Sequence, residues 1–210
     1  MAVAENFKGI YAITPDYLFG VELIKLVERT LDAGINIIQY RFNKNLSKRE
    51  VIDTAETLFK KVQTFGAEFI VNNDVNLAND LFTGLHIGPD FKNKEVLDQK
   101  NNIKFVGFSC KNSLDPQKND IHNRFDYYSF GPIYFSKTKM SQNGTIDINK
   151  ISSQMDSKKV NVAIGGINLK NLAQIKQKGF DCAAICNGIY HDSDKIERNI
   201  KEMIKVWNEN

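Results

Sequence analysis

The chain has 210 residues, of which 42% are hydrophobic and 25% are charged, and its formal net charge is +3. These values predict a single globular domain over residues 1–210 with a large core. The charge is too slight to argue for a nucleic-acid partner, so none is expected, and it is compatible with small anionic substrates. No apolar stretch is long enough to span a bilayer, and the N-terminus lacks a secretory signal. The odd cysteine count, Cys110, Cys182 and Cys186, favours a reducing, cytoplasmic location.

Short apolar runs alternate with longer amphipathic runs in the first half of the chain. Ser47 with Glu50 three residues later is typical of a capping box at a helix start, and Gly34 is typical of a helix end. The pattern predicts strands at Ile10–Ile13, Ile35–Tyr40, Phe69–Val71 and Leu85–Ile87, and helices at Val21–Leu31, from Ser47 through Val62, and at Val75–Leu81.

The second half continues the same alternation. Eight apolar strands separated by helices predict a parallel sheet, and eight such units favour a closed (β/α)8 TIM barrel over a doubly wound open sheet. The predicted strands are Lys104–Phe108, Asp126–Phe130, Val160–Ile164 and Cys182–Cys186, and the predicted helices are Ser113–Ile121, Ile148–Met155, Leu169–Lys178 and Ser193–Trp207.

The loop Gly131–Lys139, which reads GPIYFSKTK, follows the sixth predicted strand. Its hydroxyls at Ser136 and Thr138 and the cation of Lys139 suit a bound anion. A glycine pair, Gly165–Gly166, follows the seventh strand, where barrels often bind phosphate through backbone N–H groups. The two loops together predict an anion site, although surface loops of this composition often bind nothing.

Polar residues follow several of the other predicted strands, and a barrel would bring them to one rim. Several have a simpler explanation. Arg41 could pair with a helix carboxylate, and Asn72, Asn73 and Asp74 could cap the next helix. His86 could be a hydrogen-bonded core residue, and the glycine pair could be a turn. The candidates are Gln39, Arg41, Asn73, Asp74, His86, Asp90, Ser109, Asn187 and Gly188.

Cations and carboxylates are expected together at this rim. Arg41, Lys139 and Lys44 would lie near Asp74 and Asp90. Because Mg²⁺ is held by one or two carboxylates together with substrate phosphate oxygens, the set predicts a magnesium site for a diphosphate substrate.

The sequence resembles thiamin-phosphate synthase and its thiazole-tautomerase relatives over nearly its whole length. The resemblance is carried by YAITPD, GINIIQYRFNK, FIVNNDVNLA, GLHIGPD, VGFSC, DYYSFGPIYFSKTK, VAIGGIN and FDCAAICNGI. It implies a (β/α)8 barrel that uses Mg²⁺ to couple hydroxymethylpyrimidine diphosphate with thiazole phosphate, giving thiamin phosphate and pyrophosphate. These small-molecule phosphates are the expected partners, and a homo-oligomer stays open.

The resemblance also implies roles for particular residues. Arg41, Ser109 and Lys139 would act catalytically on the diphosphate, and Asp74 with Asp90 would bind the metal. The substrate-binding set would be Gln39 on the pyrimidine side, Asn73 on the diphosphate, His86 in the site, Ser136 and Thr138 on the thiazole phosphate, and Gly166, Cys186 and Asn187 in the phosphate cradle.

Several positions depart from the family pattern. The family's Arg-Glu-Lys is here Arg41-Phe42-Asn43 with Lys44 one place late, and Phe91 stands where the second magnesium carboxylate is expected, beside Pro89 and Asp90. Asn187 replaces the usual serine, and Lys111 replaces the tautomerase histidine. A thiazole phosphate tautomerase and a non-catalytic sensor of thiazole or thiamin phosphate therefore stay open as alternatives.

Overall fold

A closed parallel barrel organises the molecule. The structure is a computed structural model that describes residues 7–88, 91, 102–111, 125–135 and 145–210. Each strand pairs in parallel with the next along the chain, and the last pairs with the first, which confirms the barrel and excludes the open sheet. The strands are β1 (Gly9–Ile13), β2 (Ile37–Tyr40), β3 (Glu68–Asn72), β4 (Gly84–Ile87), β5 (Phe105–Lys111), β6 (Tyr127–Phe130), β7 (Val160–Ile164) and β8 (Cys182–Ile185).

Helices pack around the barrel. Ser47 and Glu50 form the predicted capping box, in which the Ser47 N–H donates to Glu50 Oε2 at 2.9 Å. Among the described residues, no helix has both the length and the hydropathy needed to cross a membrane. The helices are α1 (Gly20–Asp32), α2 (Lys48–Thr64), α3 (Val75–Asp80), α4 (Ile148–Ser152), α5 (Leu172–Gln177), α6 (Asn187–Tyr190) and α7 (Ile196–Glu209), with a 3₁₀ turn at Ser193–Lys195.

The sequence placed most elements within a few residues of their observed bounds. Strand β5 runs on to Lys111, beyond the predicted end at Phe108, and its pairing with β6 shifts register between Ser109 and Lys111. The short helix α6 was not predicted, since four residues are too few to show a helical period. The helix predicted over Ser113–Ile121 lies outside the described residues.

The core has two layers, because successive side chains of each strand point to opposite sides of the barrel wall. One set of side chains fills the inside of the barrel, including Tyr11, Phe105 and Tyr127. The other set, including Leu58 and Trp207, fills the shell between strands and helices. Because every strand is parallel, all their carboxyl ends meet at one rim, where the loops that follow can build a common site.

Candidate active site

A chain of hydrogen bonds crosses the inside of the barrel. Gln39 Nε2 donates to the hydroxyl of Tyr11, which lies 3.2 Å from the hydroxyl of Tyr127. The Tyr127 hydroxyl lies 2.8 Å from His86 Nδ1. Gln39 and His86 are only 3% and 8% exposed, so the predicted substrate contacts are deep interior residues rather than rim residues.

Burial keeps the two tyrosines of this chain protonated. Loss of solvation raises the pKa of Tyr11 and the pKa of Tyr127 well above the ordinary phenol value. Each hydroxyl can therefore donate one hydrogen bond and accept another at any pH at which the protein works. The side chain of Gln39 is held in a fixed position by this chain, which pre-orders one polar wall of the interior.

Arg41 lies at the rim directly after β2. Its backbone N–H donates to Thr14 Oγ1 at 2.8 Å, and the same hydroxyl donates to Arg41 O at 2.9 Å, which ties the loop to the end of β1. The guanidinium Nη2 lies 3.6 Å from Asp16 Oδ1 and 3.7 Å from Cys186 Sγ. Its Nε is buried without a partner among the described residues, so the cation keeps unused donor capacity.

Among the described residues, Arg41 pairs with a loop carboxylate and not with a helix carboxylate. Asp16, its partner among the described residues, is in the loop after β1, and the ion pair is long for a charge-assisted hydrogen bond. Burial raises the pKa of the neighbouring Cys186 thiol, while the Arg41 charge acts in the opposite direction. Cys186 is thus a neutral neighbour that adds no negative charge beside Arg41.

Asn73 and Asp74 follow the end of β3. Asn73 has a left-handed backbone with φ of 60°, and its Oδ1 accepts from the Gly88 N–H at 2.8 Å. Asp74 is the N-cap of α3, where its Oδ1 accepts from the Leu77 N–H at 3.0 Å. The capping explanation is therefore correct for Asp74, but the cap uses one oxygen and leaves the other for a ligand.

This donor set fits magnesium. No group of three or more His, Cys, Asp or Glu side chains forms a metal site in the part of the chain that the structure describes. Asp74 offers the carboxylate oxygen that its cap does not use, which suits an ion that takes one or two carboxylates and relies on substrate oxygens and water. Asp90 and Pro89 lie outside the described residues, and Phe91 packs against the core, with its N–H donating to Gly88 O at 3.1 Å.

The loop after β6 lies along the end of β7. The Ile133 N–H donates to Ile164 O at 2.9 Å, and the Tyr134 N–H donates to Gly165 O at 3.0 Å. These bonds bring the start of GPIYFSKTK beside the glycine pair, as the sequence suggested. Ser136, Thr138 and Lys139 lie outside the described residues, so their roles stay predictions.

The packing between these two loops requires glycine at position 166. Its φ is +63°, and a Cβ there would lie 2.5 Å from Phe135 O and 2.6 Å from Tyr134 O. The loop after β8 packs equally closely against the loop after β7, because a Cβ on Gly188 would lie 2.4 Å from Ile167 O. Cys186 is the N-cap of α6 and the exposed Asn187 begins the helix, so a short helix follows β8 at the place where barrels commonly bind phosphate.

The remaining predicted residues have defined positions. Ser109 is half-buried on β5 and pairs in register with Ser129 of β6. Asn43, at the altered loop position, accepts the Asn45 N–H at 2.9 Å and shapes a turn, while Lys44 is exposed. Lys111, at the tautomerase position, has a left-handed φ of 53°.

The model of a family described as thiamine monophosphate synthase matches residues 10–189. The chain belongs to the thiamine monophosphate synthase family. The thiamine-phosphate synthase of Lawsonia intracellularis is 34% identical over 201 residues, which cover 92% of this chain and 90% of that protein. The thiamine-phosphate synthase of Methylobacillus flagellatus is 31% identical over 205 residues, which cover 96% of this chain and 96% of that protein.

Solved structures agree with membership of this family. A thiamine phosphate pyrophosphorylase from Pyrococcus furiosus superposes with a TM-score of 0.79 at 25% identity, covering 96% of both chains. The 3-hexulose-6-phosphate synthase of Salmonella typhimurium superposes with a TM-score of 0.69 at 12% identity, covering 97% of this chain and 99% of that one. The second likeness shows the barrel fold alone.

Sequence reasoning missed the two tyrosines that bond to Gln39 and His86 inside the barrel. Tyr11 and Tyr127 carry the hydrogen-bond chain, yet in the sequence they are simply aromatic residues of apolar strands. The available signal was the alternation of each strand, which places Tyr11 on the same face as Ile13 and Tyr127 on the same face as Ser129. Thr14, which holds the Arg41 loop, carries no comparable signal in the sequence.

Proposed function

We propose that the chain is a thiamin-phosphate synthase, which joins hydroxymethylpyrimidine diphosphate to thiazole phosphate and releases pyrophosphate. In this reaction the bond between the pyrimidine methylene carbon and the diphosphate oxygen breaks, and its electron pair leaves with pyrophosphate. The thiazole nitrogen then forms a bond to the same carbon. The substrates are small soluble phosphates, and we place the reaction in the cytoplasm.

One observation carries the proposal above the others. Arg41 holds a partly buried guanidinium at the rim with its Nε unpartnered among the described residues, directly above a neutral, hydrogen-bonding interior. A bidentate cation of this kind suits a diphosphate, and the interior suits an uncharged ring. The two ends of hydroxymethylpyrimidine diphosphate have these properties.

Charge stabilisation is the main catalytic task of the rim. Negative charge grows on the departing pyrophosphate, and Arg41 and Lys139 would stabilise it electrostatically. Asp74, with Asp90 as a second carboxylate, would hold Mg²⁺, which supplies further positive charge to the diphosphate oxygens. Asn73 and Ser109 would add hydrogen bonds to the same group.

Orientation is the second task. Gln39, fixed by Tyr11, would bind the pyrimidine edge, with His86 at the other end of the hydrogen-bond chain. Ser136, Thr138 and the backbone at Gly166, Cys186 and Asn187 would hold the thiazole phosphate, so that the thiazole nitrogen faces the methylene carbon. Much of the acceleration would come from this alignment, since the reaction needs no protein nucleophile.

The direct test supplies purified protein with both substrates and Mg²⁺ and measures thiamin phosphate. We expect product only when both substrates are present, and loss of product on chelation. Product that is unaffected by chelator would contradict the magnesium role alone. Isomerisation of thiazole phosphate without coupling would indicate a tautomerase, and binding of thiazole phosphate without either reaction would indicate a sensor.

A further inference from the structure

Ser129 has an unexplained buried hydroxyl. On β6 the side chains of Tyr128 and Phe130 point into the shell, whereas Tyr127 points into the barrel. Ser129 lies two residues beyond Tyr127 and so shares its inward face. The residue is 2% exposed, and its Oγ has no hydrogen-bond partner in the part of the chain that the structure describes.

The neighbouring polar groups do not satisfy this hydroxyl. Tyr127 bonds to Tyr11 and His86, and Gln39 bonds to Tyr11, so these groups are occupied with one another. The register neighbours of Ser129 are Ser109 on β5 and Val162 on β7, and no hydrogen bond joins either to its Oγ. Folded proteins rarely bury a hydroxyl without a partner, because its hydration is lost with no compensation.

The surroundings of Ser129 indicate what kind of group would supply the missing bond. The side chains that fill the barrel around it are aromatic, aliphatic or neutral polar, and no lysine, arginine or carboxylate is among the described ones. A phosphate would lose its hydration there without gaining a counter-charge. A flat uncharged heterocycle with hydrogen-bonding atoms on its edge suits the space better.

We propose that Ser129 is a further substrate contact, whose hydroxyl hydrogen-bonds the aminopyrimidine ring of the diphosphate substrate. This inference rests on the proposed function. The aminopyrimidine offers ring nitrogens that accept and an amino group that donates, and a serine hydroxyl can bond either. The thiazole offers only the ring nitrogen that must stay free to attack. Ser129 therefore contributes to selecting and orienting the pyrimidine.

The test compares Ser129→Ala with wild type in the whole protein. Without ligand, the variant loses an unsatisfied buried hydroxyl, so its thermal midpoint rises by about 2–4 °C. Its Kd for hydroxymethylpyrimidine diphosphate, measured by calorimetry with no second substrate, rises about 3–10-fold. Its Kd for thiazole phosphate does not change. This pairing of higher stability with weaker binding is not produced by a structural role.

Thr30→Val is the matched control. Thr30 is also fully buried, but its Oγ1 donates to Leu26 O at 2.8 Å in the shell beyond the barrel. Loss of that partnered hydroxyl lowers the thermal midpoint and leaves both Kd values unchanged. The two variants thus remove a similar group and shift stability in opposite directions.

Three results would overturn the inference. A fall in thermal midpoint for Ser129→Ala with unchanged affinities would mean that a water or protein group already satisfies the hydroxyl. A change in thiazole phosphate affinity alone would assign Ser129 to the other heterocycle. Failure of the wild type to bind hydroxymethylpyrimidine diphosphate would refute the proposed function as well, and that failure is seen before any variant is made.

Discussion

The two ends of the barrel use polar groups in opposite ways. At the amino end, Asp126 Oδ2 accepts from the Val106 N–H at 2.7 Å, and Asp181 Oδ2 accepts from the Asn161 N–H at 2.9 Å. Each aspartate precedes one strand and satisfies the start of its neighbour. At the carboxyl end, Arg41 Nε and Ser129 Oγ have no partner among the described residues.

Other contacts at the amino end follow the same rule. Lys104 Nζ lies 2.6 Å from Glu68 Oε2, and Lys159 Nζ donates to Phe125 O at 2.8 Å. Asn161 is a partial exception, because its Nδ2 is bonded while its buried Oδ1 is unpartnered among the described residues. The difference teaches that the polar groups at the amino end mainly stabilise the fold, while at the carboxyl end Arg41 and Ser129 keep bonding capacity for ligands, at some cost in stability.

The largest expected effect comes from Asp74 at the carboxyl end. Asn is as good a helix cap as Asp, so Asp74→Asn keeps the bond to the Leu77 N–H but removes the charge that Mg²⁺ needs. We expect coupling activity to fall by on the order of 10³-fold, with an unchanged thermal midpoint. Activity is measured against Mg²⁺ concentration, and Mg²⁺ binding is measured by calorimetry.

The companion variant is Asp90→Asn. We expect it to raise the Mg²⁺ requirement without abolishing activity, because one carboxylate and the diphosphate oxygens still hold the ion. If Asp74→Asn kept full activity, the proposed metal role of that carboxylate would be wrong, and Asp74 would be a helix cap only.

The next largest effect is expected for Arg41, which also lies at the carboxyl end of the barrel. Arg41→Ala should lower kcat/KM about 10²–10³-fold, because a positioned cation no longer stabilises the departing diphosphate. Arg49→Ala is the control, since Arg49 is a 90% exposed arginine on α2 whose ion pair with Asp53 is 3.6 Å long. Equal losses in the two variants would mean that general positive charge, and not the Arg41 site, acts on the substrate.

Asp181 tests the amino end. Asp181→Ala leaves the Asn161 N–H without its acceptor, at a cost of about 1–2 kcal/mol, and should lower the thermal midpoint by about 2–8 °C. Asp181→Asn keeps an acceptor oxygen and should lose less. Both variants should retain wild-type kcat/KM, and a kinetic defect as large as that of Arg41→Ala would remove the distinction between the two ends.

The fold followed from the sequence because its signals are local and repeated. Apolar runs, the Ser47 capping box and the glycine after α1 mark elements one at a time, and the eightfold alternation fixes the architecture. The candidate site was harder to predict. Rim positions such as Arg41 follow from strand ends, but the bond between Tyr11 and Tyr127 joins β1 to β6, strands that are not neighbours and that barrel closure brings together.

Packing also changed the meaning of correctly located residues. Gly166 was expected to let a phosphate approach the backbone, and this stays a prediction. The structure adds that a side chain there would strike the carbonyls of Tyr134 and Phe135. Gly166→Val would therefore disturb the loop as well as the cradle, and a binding defect in that variant would not separate the two causes. No sequence pattern reveals such a contact between distant loops.

The smallest expected effect concerns a charged pair in the helical layer, outside both ends. Glu197 lies 2.5 Å from Arg29 Nε, and this bond lowers the pKa of the Glu197 carboxyl to about 2. A lowered carboxyl pKa adds stability at pH above the unfolded value, and that stability is lost as pH falls towards the folded value. Since both side chains are about 40% exposed, we expect Glu197→Gln to lower the thermal midpoint by only about 1–3 °C at pH 7.

That difference between Glu197→Gln and wild type should shrink as pH falls below the ordinary carboxyl pKa, and vanish near pH 2 if the fold persists. Thermal melts over this range measure it, and coupling activity at pH 7 should not change. Glu202→Gln is the control, because Glu202 pairs within α7 with the highly exposed Arg198, a contact that joins no two elements. A pH-independent difference would mean that Glu197 stabilises through packing. A loss of activity would mean that this pair in the helical layer also supports ligand binding.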